Sequence, residues 1–167
     1  MRCELAARLE DHSNITVNAK KQTNNMNRII ALRGRGNSGK SATIRLLYDL
    51  LVQNGYQQIN SNFKVDGGDF IAIFSKNGQL IGVTSSGDTY DLVHDSLQEL
   101  INASCNICIC ACRTFDRVPP GTNAAIIEFT NYENQFIEKT VDDNEATQRT
   151  TNGRDAQNLF SAIERLI

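Results

Sequence analysis

Eight residues at positions 34–41 have the types and the spacing that bind a polyphosphate, since they read G-R-G-N-S-G-K-S. Glycines let a backbone turn tightly and bring its N–H groups close to phosphate oxygens. In this pattern the lysine would contact the β- and γ-phosphates, and the hydroxyl after it would be a ligand of Mg²⁺. The sequence therefore predicts that Lys40 binds phosphate and that Ser41 binds the metal. The other predicted phosphate-binding residues of the loop are Gly34, Arg35, Gly36, Asn37, Ser38 and Gly39.

The residues on both sides of this loop predict the elements that would hold it. Residues 28–33 form a short apolar run, R-I-I-A-L-R, which is typical of a buried strand. After the loop, residues 41–54 carry apolar side chains at helical spacing, and Gly55 stands where a glycine commonly ends a helix. The positive end of that helix dipole would face the same anion. Strand, loop and helix thus follow in the order that a phosphate-binding loop requires.

In this context, residues 28–54 resemble the Walker A unit of the P-loop NTPase superfamily. The specific positions are Gly34, Gly39, Lys40 and Ser41, and the resemblance covers about a sixth of the chain. The resemblance implies that the ligands are a nucleoside triphosphate and Mg²⁺, without naming a reaction. The tetrapeptide N-K-x-D, which would read a guanine base, does not occur in the chain, so we expect ATP rather than GTP.

The rest of the chain predicts an α/β fold, a single P-loop domain in which helices flank a mostly parallel sheet with one β-hairpin. Two apolar runs around Asn77-Gly78 predict the hairpin, because this dipeptide suits a two-residue turn. Residues 142–153 are predicted to be a polar linker before an amphipathic helix at 154–166. The other predicted strands cover 69–75, 80–84, 106–112 and 135–141, and the other predicted helices cover 88–102 and 124–132.

The length and the charge of the chain limit the kinds of protein that it can be. At 167 residues it has room for one domain with a single core. A formal net charge of −2 at pH 7 gives no basic field that would attract nucleic acid or an anionic membrane. No apolar run approaches the roughly 20 residues that span a bilayer, and the first residues contain no apolar signal region. We therefore expect a cytoplasmic protein that binds a nucleoside triphosphate and a small phosphoryl acceptor, rather than a membrane or nucleic acid.

The beginning of the chain differs in composition from the rest. Residues 11–27 are rich in Asn, Lys, Thr and Gln and carry few apolar side chains to bury. We expect residues 1–25 to be a disordered or extension segment, and residues 26–167 to be the nucleotide-binding domain. Because small P-loop domains commonly begin a few residues before their first strand, Met26 is a candidate native start.

The rule that ligands bind beyond the carboxyl ends of parallel strands predicts further site residues. The loops after strands 80–84 and 107–112 should rim the same cleft as Lys40. A P-loop enzyme usually holds Mg²⁺ with a second carboxylate at the end of an apolar strand, whereas strand 107–112 ends in Arg113. Asp88 is the leading candidate for this metal-binding and catalytic carboxylate, and its alternative role is to cap the helix that follows. The carboxylates ranked behind it are Asp116 and the pair Asp66 and Asp69.

Two arginines follow the same strand, and we predict that they stabilise the negative charge of a transferred phosphoryl group. Phosphoryl transfer spreads negative charge over the equatorial oxygens, and an arginine near them stabilises the transition state. Arg113 is the main candidate and Arg117 the second, and either could instead hold an anionic acceptor. The alternative for both is a surface arginine whose aliphatic part covers apolar neighbours.

Four cysteines lie close together, at positions 105, 108, 110 and 112, as the ligands of a metal cluster would. Strand periodicity places Cys108, Cys110 and Cys112 on one face, about 7 Å apart in succession, which is too far for three thiolates on one zinc ion. Buried free cysteines pack as small hydrophobic side chains. We therefore predict that these thiols are reduced and packed in the core.

The predicted function is that of a Mg·ATP-binding P-loop protein, either a small kinase-like phosphotransferase or an ATPase, and the small size favours the phosphotransferase. Its predicted catalytic residues are Lys40, Arg113 and Asp88, and its predicted metal ligands are Ser41 and Asp88. The alternative is a non-catalytic binding module, in which bound nucleotide orders a loop that a partner contacts. Turnover separates the two, because an enzyme loses it when Lys40 is replaced by Ala, whereas a module never shows it.

Overall fold

The computed structural model describes residues 27–59, 68–116 and 118–167. The predicted segment 1–25, the candidate start Met26 and the candidate site residues Asp66 and Arg117 lie outside these ranges. None of the helices in the described ranges combines the length and the apolar character that a membrane span needs. In chain order, the elements are β1 (Arg28–Arg33), α1 (Lys40–Gln53), β2 (Gln57–Gln58), β3 (Ile71–Lys76), β4 (Gln79–Thr84), α2 (Tyr90–Asn102), β5 (Ile107–Cys112), α3 (Thr122–Ile127), β6 (Glu133–Glu138) and α4 (Glu145–Glu164).

A six-stranded mixed sheet lies at the centre, with the strand order β2-β3-β4-β5-β1-β6. Strands β4, β5, β1 and β6 are parallel to one another, whereas β2, β3 and β4 pair antiparallel. The expectation of a mostly parallel sheet is therefore correct only in part. The predicted hairpin is confirmed, since Asn77 and Gly78 both have positive φ, 52° and 78°, which reverses the chain between β3 and β4. Strand β2 adds a second antiparallel pair.

Strand β5 shows how the sheet separates two apolar cores. Its alternate side chains point to opposite faces, as the pleat of a strand requires. The residues that pack with α1 and α4 are Ile107, Ile109 and Ala111, and those that pack with α2 and α3 are Cys108, Cys110 and Cys112. The prediction that these cysteines share one face and fill the core is confirmed. Burial raises the pKa of the Cys112 thiol to about 12, so this side chain stays a protonated thiol at neutral pH.

Several element boundaries differ from the sequence prediction, and the largest difference concerns α4. Residues 142–153 are mostly helix rather than linker, because Asn144 caps α4 by accepting a hydrogen bond from the backbone N–H of Ala146 at 2.9 Å. The polar residues of the first turn face water, whereas Thr151 and Asn152 at the end of the second turn are buried. Helix α3 ends at Ile127 and β6 covers Glu133–Glu138, both earlier than predicted.

A buried ion pair joins α4 to the end of β6. The Lys139 ammonium lies 2.7 Å from the Asp155 carboxylate, with 0% and 2% of the two side chains exposed. Asp155 also accepts hydrogen bonds from the backbone N–H and the hydroxyl of Thr140, each at 2.8 Å. The backbone N–H of Lys139 in turn donates to the carbonyl of Arg33 at 2.7 Å. This arrangement fixes α4 beside the loop that leaves β1.

We expect Asp155→Ala to lower the free energy of unfolding by about 3–5 kcal/mol, because it leaves the Lys139 charge buried without its partner. Asp143→Ala is the matched control, since Asp143 is an exposed carboxylate 3.4 Å from Arg35 and its loss should cost less than about 1 kcal/mol. Chemical denaturation of both variants measures the difference. Equal, small losses would show that the buried pair does not anchor α4.

Candidate functional site

The loop at residues 34–41 joins β1 to α1 and leaves the start of that helix open. Gly39 precedes the helix with φ 84° and ψ 16°, a left-handed conformation that glycine adopts at no steric cost. No side chain caps the helix at this position. The first backbone N–H groups of a helix have no partner inside it, and they carry the positive end of its dipole. The loop therefore presents uncapped N–H donors, which is the usual basis of an anion site.

Lys40 is a buried cation at the same place. Its ammonium donates to the backbone carbonyls of Gly34 at 3.1 Å and Arg35 at 2.8 Å, so its side chain curls over the loop. Burial lowers the pKa of Lys40 below its ordinary value, the charge of Asp88 opposes this shift, and the charge of Arg113 adds to it. A buried ammonium has lost part of its hydration, which is energetically costly. An anion bound beside it would stabilise its charge.

Ser38 is a second polar group of the loop whose hydrogen-bonding capacity is unused within the described residues. Its side chain is 3% exposed, and its hydroxyl oxygen has no hydrogen-bond partner among the described residues. Buried hydroxyl groups are nearly always hydrogen-bonded in native proteins. A phosphate oxygen bound by the loop is the type of group that would satisfy this hydroxyl.

The loops after β4 and β5 meet this loop, so Lys40, Ser41 and Asp88 line one cleft of about 250 Å³. Asp88 accepts a hydrogen bond from Arg113, with Nη2 and Oδ1 2.9 Å apart, and its backbone carbonyl accepts from Arg113 Nε at 3.1 Å. The Arg113 guanidinium also reaches the loop, because a Cβ added to Gly36 would lie 3.1 Å from its Nη1. The expected neighbourhood of Lys40, Asp88 and Arg113 is thus present.

Asp88 does not cap α2, which removes the alternative role considered for it. The cap is Thr89, whose hydroxyl accepts from the backbone N–H of Leu92 at 3.3 Å. Asp88 is therefore one residue before the cap, where its carboxylate lines the cleft instead of serving the helix.

The lower-ranked carboxylates have other partners. Asp116 accepts hydrogen bonds from Thr122 and Asn123. Burial raises its pKa, but these hydrogen bonds outweigh burial and lower the pKa below the ordinary value. A Cβ on Gly121 would overlap this carboxylate. The Asp116 side chain can therefore pack against the backbone at position 121 only because that residue is a glycine. Asp69 accepts from the hydroxyl of Ser85 at 3.0 Å.

Two residues near the loop were not singled out from the sequence. Ser85 lines the cleft, and only its position after an apolar strand could have indicated it. Asn152 supports the loop from α4, since a Cβ on Gly39 would lie 2.7 Å from its Oδ1, which also accepts from Gln148 Nε2 at 2.7 Å. Because Asn152 belongs to a segment that reads as a polar linker, nothing in the sequence pointed to it.

The oxygen ligands of the cleft suit an ion that takes few of its ligands from the protein, such as Mg²⁺. The described residues contain no group of three or more His, Cys, Asp or Glu side chains that could hold a metal by themselves. Mg²⁺ usually takes one or two protein ligands and completes its shell with substrate phosphates and water. Ser41 and Asp88, together with a bound polyphosphate, fit this pattern.

Comparison of the chain with protein-family models, curated proteins and solved structures finds no match. The case for a function therefore rests on the chemistry and geometry of the site.

The lowered pKa of Lys40 predicts how the stability of the folded chain depends on pH. Between this pKa and the ordinary value of 10.5, the unfolded chain binds the proton more tightly than the folded chain, so stability rises with pH. The free energy of unfolding of the unaltered chain, relative to Lys40→Met, should therefore increase as the pH rises from neutral toward 10.5. Lys76→Met, at the opposite end of the sheet, controls for the loss of a positive charge. A difference that is constant with pH would contradict the burial of this charge.

Proposed function

We propose that the chain binds Mg·ATP on the loop at residues 34–41 and transfers the γ-phosphoryl group to a small acceptor, as a kinase-like phosphotransferase. The observation that carries the proposal is the placement of the Lys40 ammonium at the uncapped start of α1, in the same cleft as the Asp88 carboxylate. The P-loop resemblance of residues 28–54 agrees with this placement.

Each part of the cleft would have its own task. The backbone N–H groups at the start of α1 would bind phosphate oxygens, and the Ser38 hydroxyl would donate a hydrogen bond to one of them. Lys40 would leave the carbonyls of its own loop and pair with the phosphates, an exchange of neutral acceptors for charged ones. Ser41 and Asp88 would hold Mg²⁺, which neutralises phosphate charge when bound.

Arg113 would act on the charge that develops during transfer. Its guanidinium lies between Asp88 and the loop, near Gly36. Paired with Asp88, it is oriented before any ligand binds, and an oriented donor costs little reorganisation at the moment of reaction. We propose that it stabilises the equatorial oxygens of the transferred group.

The direct test is ADP formation from Mg·ATP by the full chain, with nucleotide binding measured in the same samples. We expect Lys40→Ala to lower turnover by about 10²-fold or more, the loss that follows removal of one key charge-stabilising donor. Lys76→Ala, a lysine that pairs with Glu164 away from the cleft, is the matched control and should leave turnover unchanged. Turnover that survives in Lys40→Ala would refute the proposed site.

The second candidate function is a nucleotide-dependent binding module without turnover. It is favoured by one observation, that Arg113 directly follows β5, so the position where an enzyme of this type commonly has a carboxylate carries a guanidinium paired with Asp88. Tight, Lys40-dependent binding of ATP with no ADP formation, even with acceptors added, would support the module. ADP formation would exclude it.

Asp88 and Thr89 are adjacent residues whose substitutions should have separable effects. We expect Asp88→Asn to weaken Mg²⁺-dependent binding or turnover by about tenfold or more, because a metal ligand is lost. Thr89→Ala should lower the free energy of unfolding by about 1 kcal/mol through loss of the cap and leave the Mg²⁺ dependence intact. Titration with Mg²⁺ and chemical denaturation of both variants measure the two effects. An unchanged Mg²⁺ dependence in Asp88→Asn would remove Asp88 from the metal site.

A further inference from the structure

The backbone of Arg113 lies between the loop after β1 and helix α3. On the side of the loop, the carbonyl of Cys112 accepts from the backbone N–H of Gly34 at 3.1 Å, and the N–H of Thr114 donates to the carbonyl of Gly34 at 3.3 Å. Successive residues of an extended chain direct their N–H and C=O groups to opposite edges, so those of Arg113 point away from the loop. On that side, the pairing of β4 with β5 has already ended at Ile109. The hydrogen-bond partners of Arg113 must therefore come from another element.

Side chains at the start of α3 supply these partners. The Thr122 hydroxyl accepts from the backbone N–H of Arg113, and Asn123 Nδ2 donates to the backbone carbonyl of Arg113, each at 2.8 Å. Both polar backbone groups of Arg113 are thus bound by two consecutive side chains. Thr122 is 1% exposed, so water cannot easily replace its hydroxyl in this bond.

Asp116 orients both of these side chains. Its Oδ1 accepts from the Thr122 hydroxyl at 2.9 Å and from the backbone N–H of Thr122 at 2.8 Å, and its Oδ2 accepts from Asn123 Nδ2 at 3.2 Å. Because the Thr122 hydroxyl donates its one proton to Asp116, it can only be an acceptor toward Arg113. We call Asp116, Thr122 and Asn123 the α3 clamp.

The side chain of Arg113 extends from this clamp into the cleft. Its Nη2 lies 2.9 Å from Asp88 Oδ1, and its Nε donates to the backbone carbonyl of Asp88 at 3.1 Å. Its Nη1 would lie 3.1 Å from a Cβ added to Gly36. An arginine side chain has several rotatable bonds and much conformational entropy to lose. With its backbone and its guanidinium both held, few alternative positions remain for it.

We propose that Thr122 and Asn123 are positioning residues, which hold the backbone of Arg113 so that its guanidinium stays beside the loop. The inference rests on the proposed function, in which Arg113 stabilises the transferred group. It also gives Asp116 a task other than metal binding, because this carboxylate orients the clamp. Small displacements of a group that acts on the transition state cost much of the rate, so such a clamp supports turnover.

The kinetic test compares Thr122→Val with Thr122→Ser, with ADP formation by the full chain as the readout. Valine keeps the shape of threonine but cannot accept from Arg113 or donate to Asp116, whereas serine keeps the hydroxyl. We expect Thr122→Val to lower kcat about tenfold or more and to change the KM for ATP less than about twofold, because the groups that bind the nucleotide stay in place. Thr122→Ser should keep most of the turnover of the unaltered chain.

Asn106→Ala is the matched control, because Asn106 makes the same kind of bond at the opposite end of β5. Its Oδ1 accepts from the backbone N–H of Leu80 at 3.1 Å, so its loss should lower stability without lowering kcat. Asn123→Ala is the second variant of the clamp, and we expect it to lower kcat as Thr122→Val does. Equal effects of the clamp variants and Asn106→Ala on kcat, or an effect confined to the KM for ATP, would overturn the inference.

The Nε–H of Arg113 gives a spectroscopic readout that does not depend on turnover. Because it is hydrogen-bonded to Asp88, its resonance should be visible in ¹H–¹⁵N spectra of the nucleotide-free chain, and Arg113→Lys identifies it by its loss. We expect this resonance to shift or broaden in Thr122→Val and Asn123→Ala, and to stay in place in Thr122→Ser and Asn106→Ala.

The two readouts separate failure of the inference from failure of the proposed function. A resonance of Arg113 Nε–H that stays in place in both clamp variants would overturn the inference, whether or not the chain forms ADP. A shifted resonance in a chain that binds ATP and forms no ADP would instead refute the proposed phosphotransferase, and the clamp would stand as the determinant of where the guanidinium lies.

Discussion

The start of α1 imposes the constraint on which the rest of the site depends. Gly39, in a left-handed conformation, begins the helix without a side-chain cap, and Lys40 follows it as a buried cation. Uncapped N–H donors and a poorly hydrated ammonium together make a strong positive potential in a small space. Two backbone carbonyls of the loop accept hydrogen bonds from the Lys40 ammonium. A bound anion would stabilise this positive charge more strongly, because hydrogen bonds between charged groups are stronger than those to neutral acceptors.

The sheet explains why the other charges stand where they do. The parallel order β4-β5-β1-β6 places three loops at one edge, so Asp88 and Arg113 come from strands β4 and β5 to face the loop after β1. The Asp88–Arg113 pair then lies between two spaces with different linings, a polar cleft beside the loop and a more apolar cavity beside α2.

The sequence predicted the features that depend on local pattern. The strand, loop and helix at residues 28–54, the hairpin at Asn77-Gly78 and the cysteine face of β5 follow from glycine geometry and from the periods of strand and helix. Its main error concerns α4, in which Thr151 and Asn152 are buried against the rest of the fold, a tertiary contact that the sequence does not show. The N-cap of α2 is a local feature, and there Thr89 rather than Asp88 accepts the hydrogen bond from the backbone N–H of Leu92. The close contact between Asn152 and Gly39 also depends on the tertiary fold, so a single sequence does not reveal it.

The central claim, that the loop backbone binds phosphate, is tested most directly by two-dimensional ¹H–¹⁵N NMR of the full chain during titration with Mg·ATP. We expect the amide resonances of residues 36–41 to shift with Mg·ATP, to shift similarly with pyrophosphate, and to remain in place with adenosine. Phosphate rather than base recognition is the distinguishing property of such a loop. Resonances that do not move with Mg·ATP, or that move equally with adenosine, would contradict it.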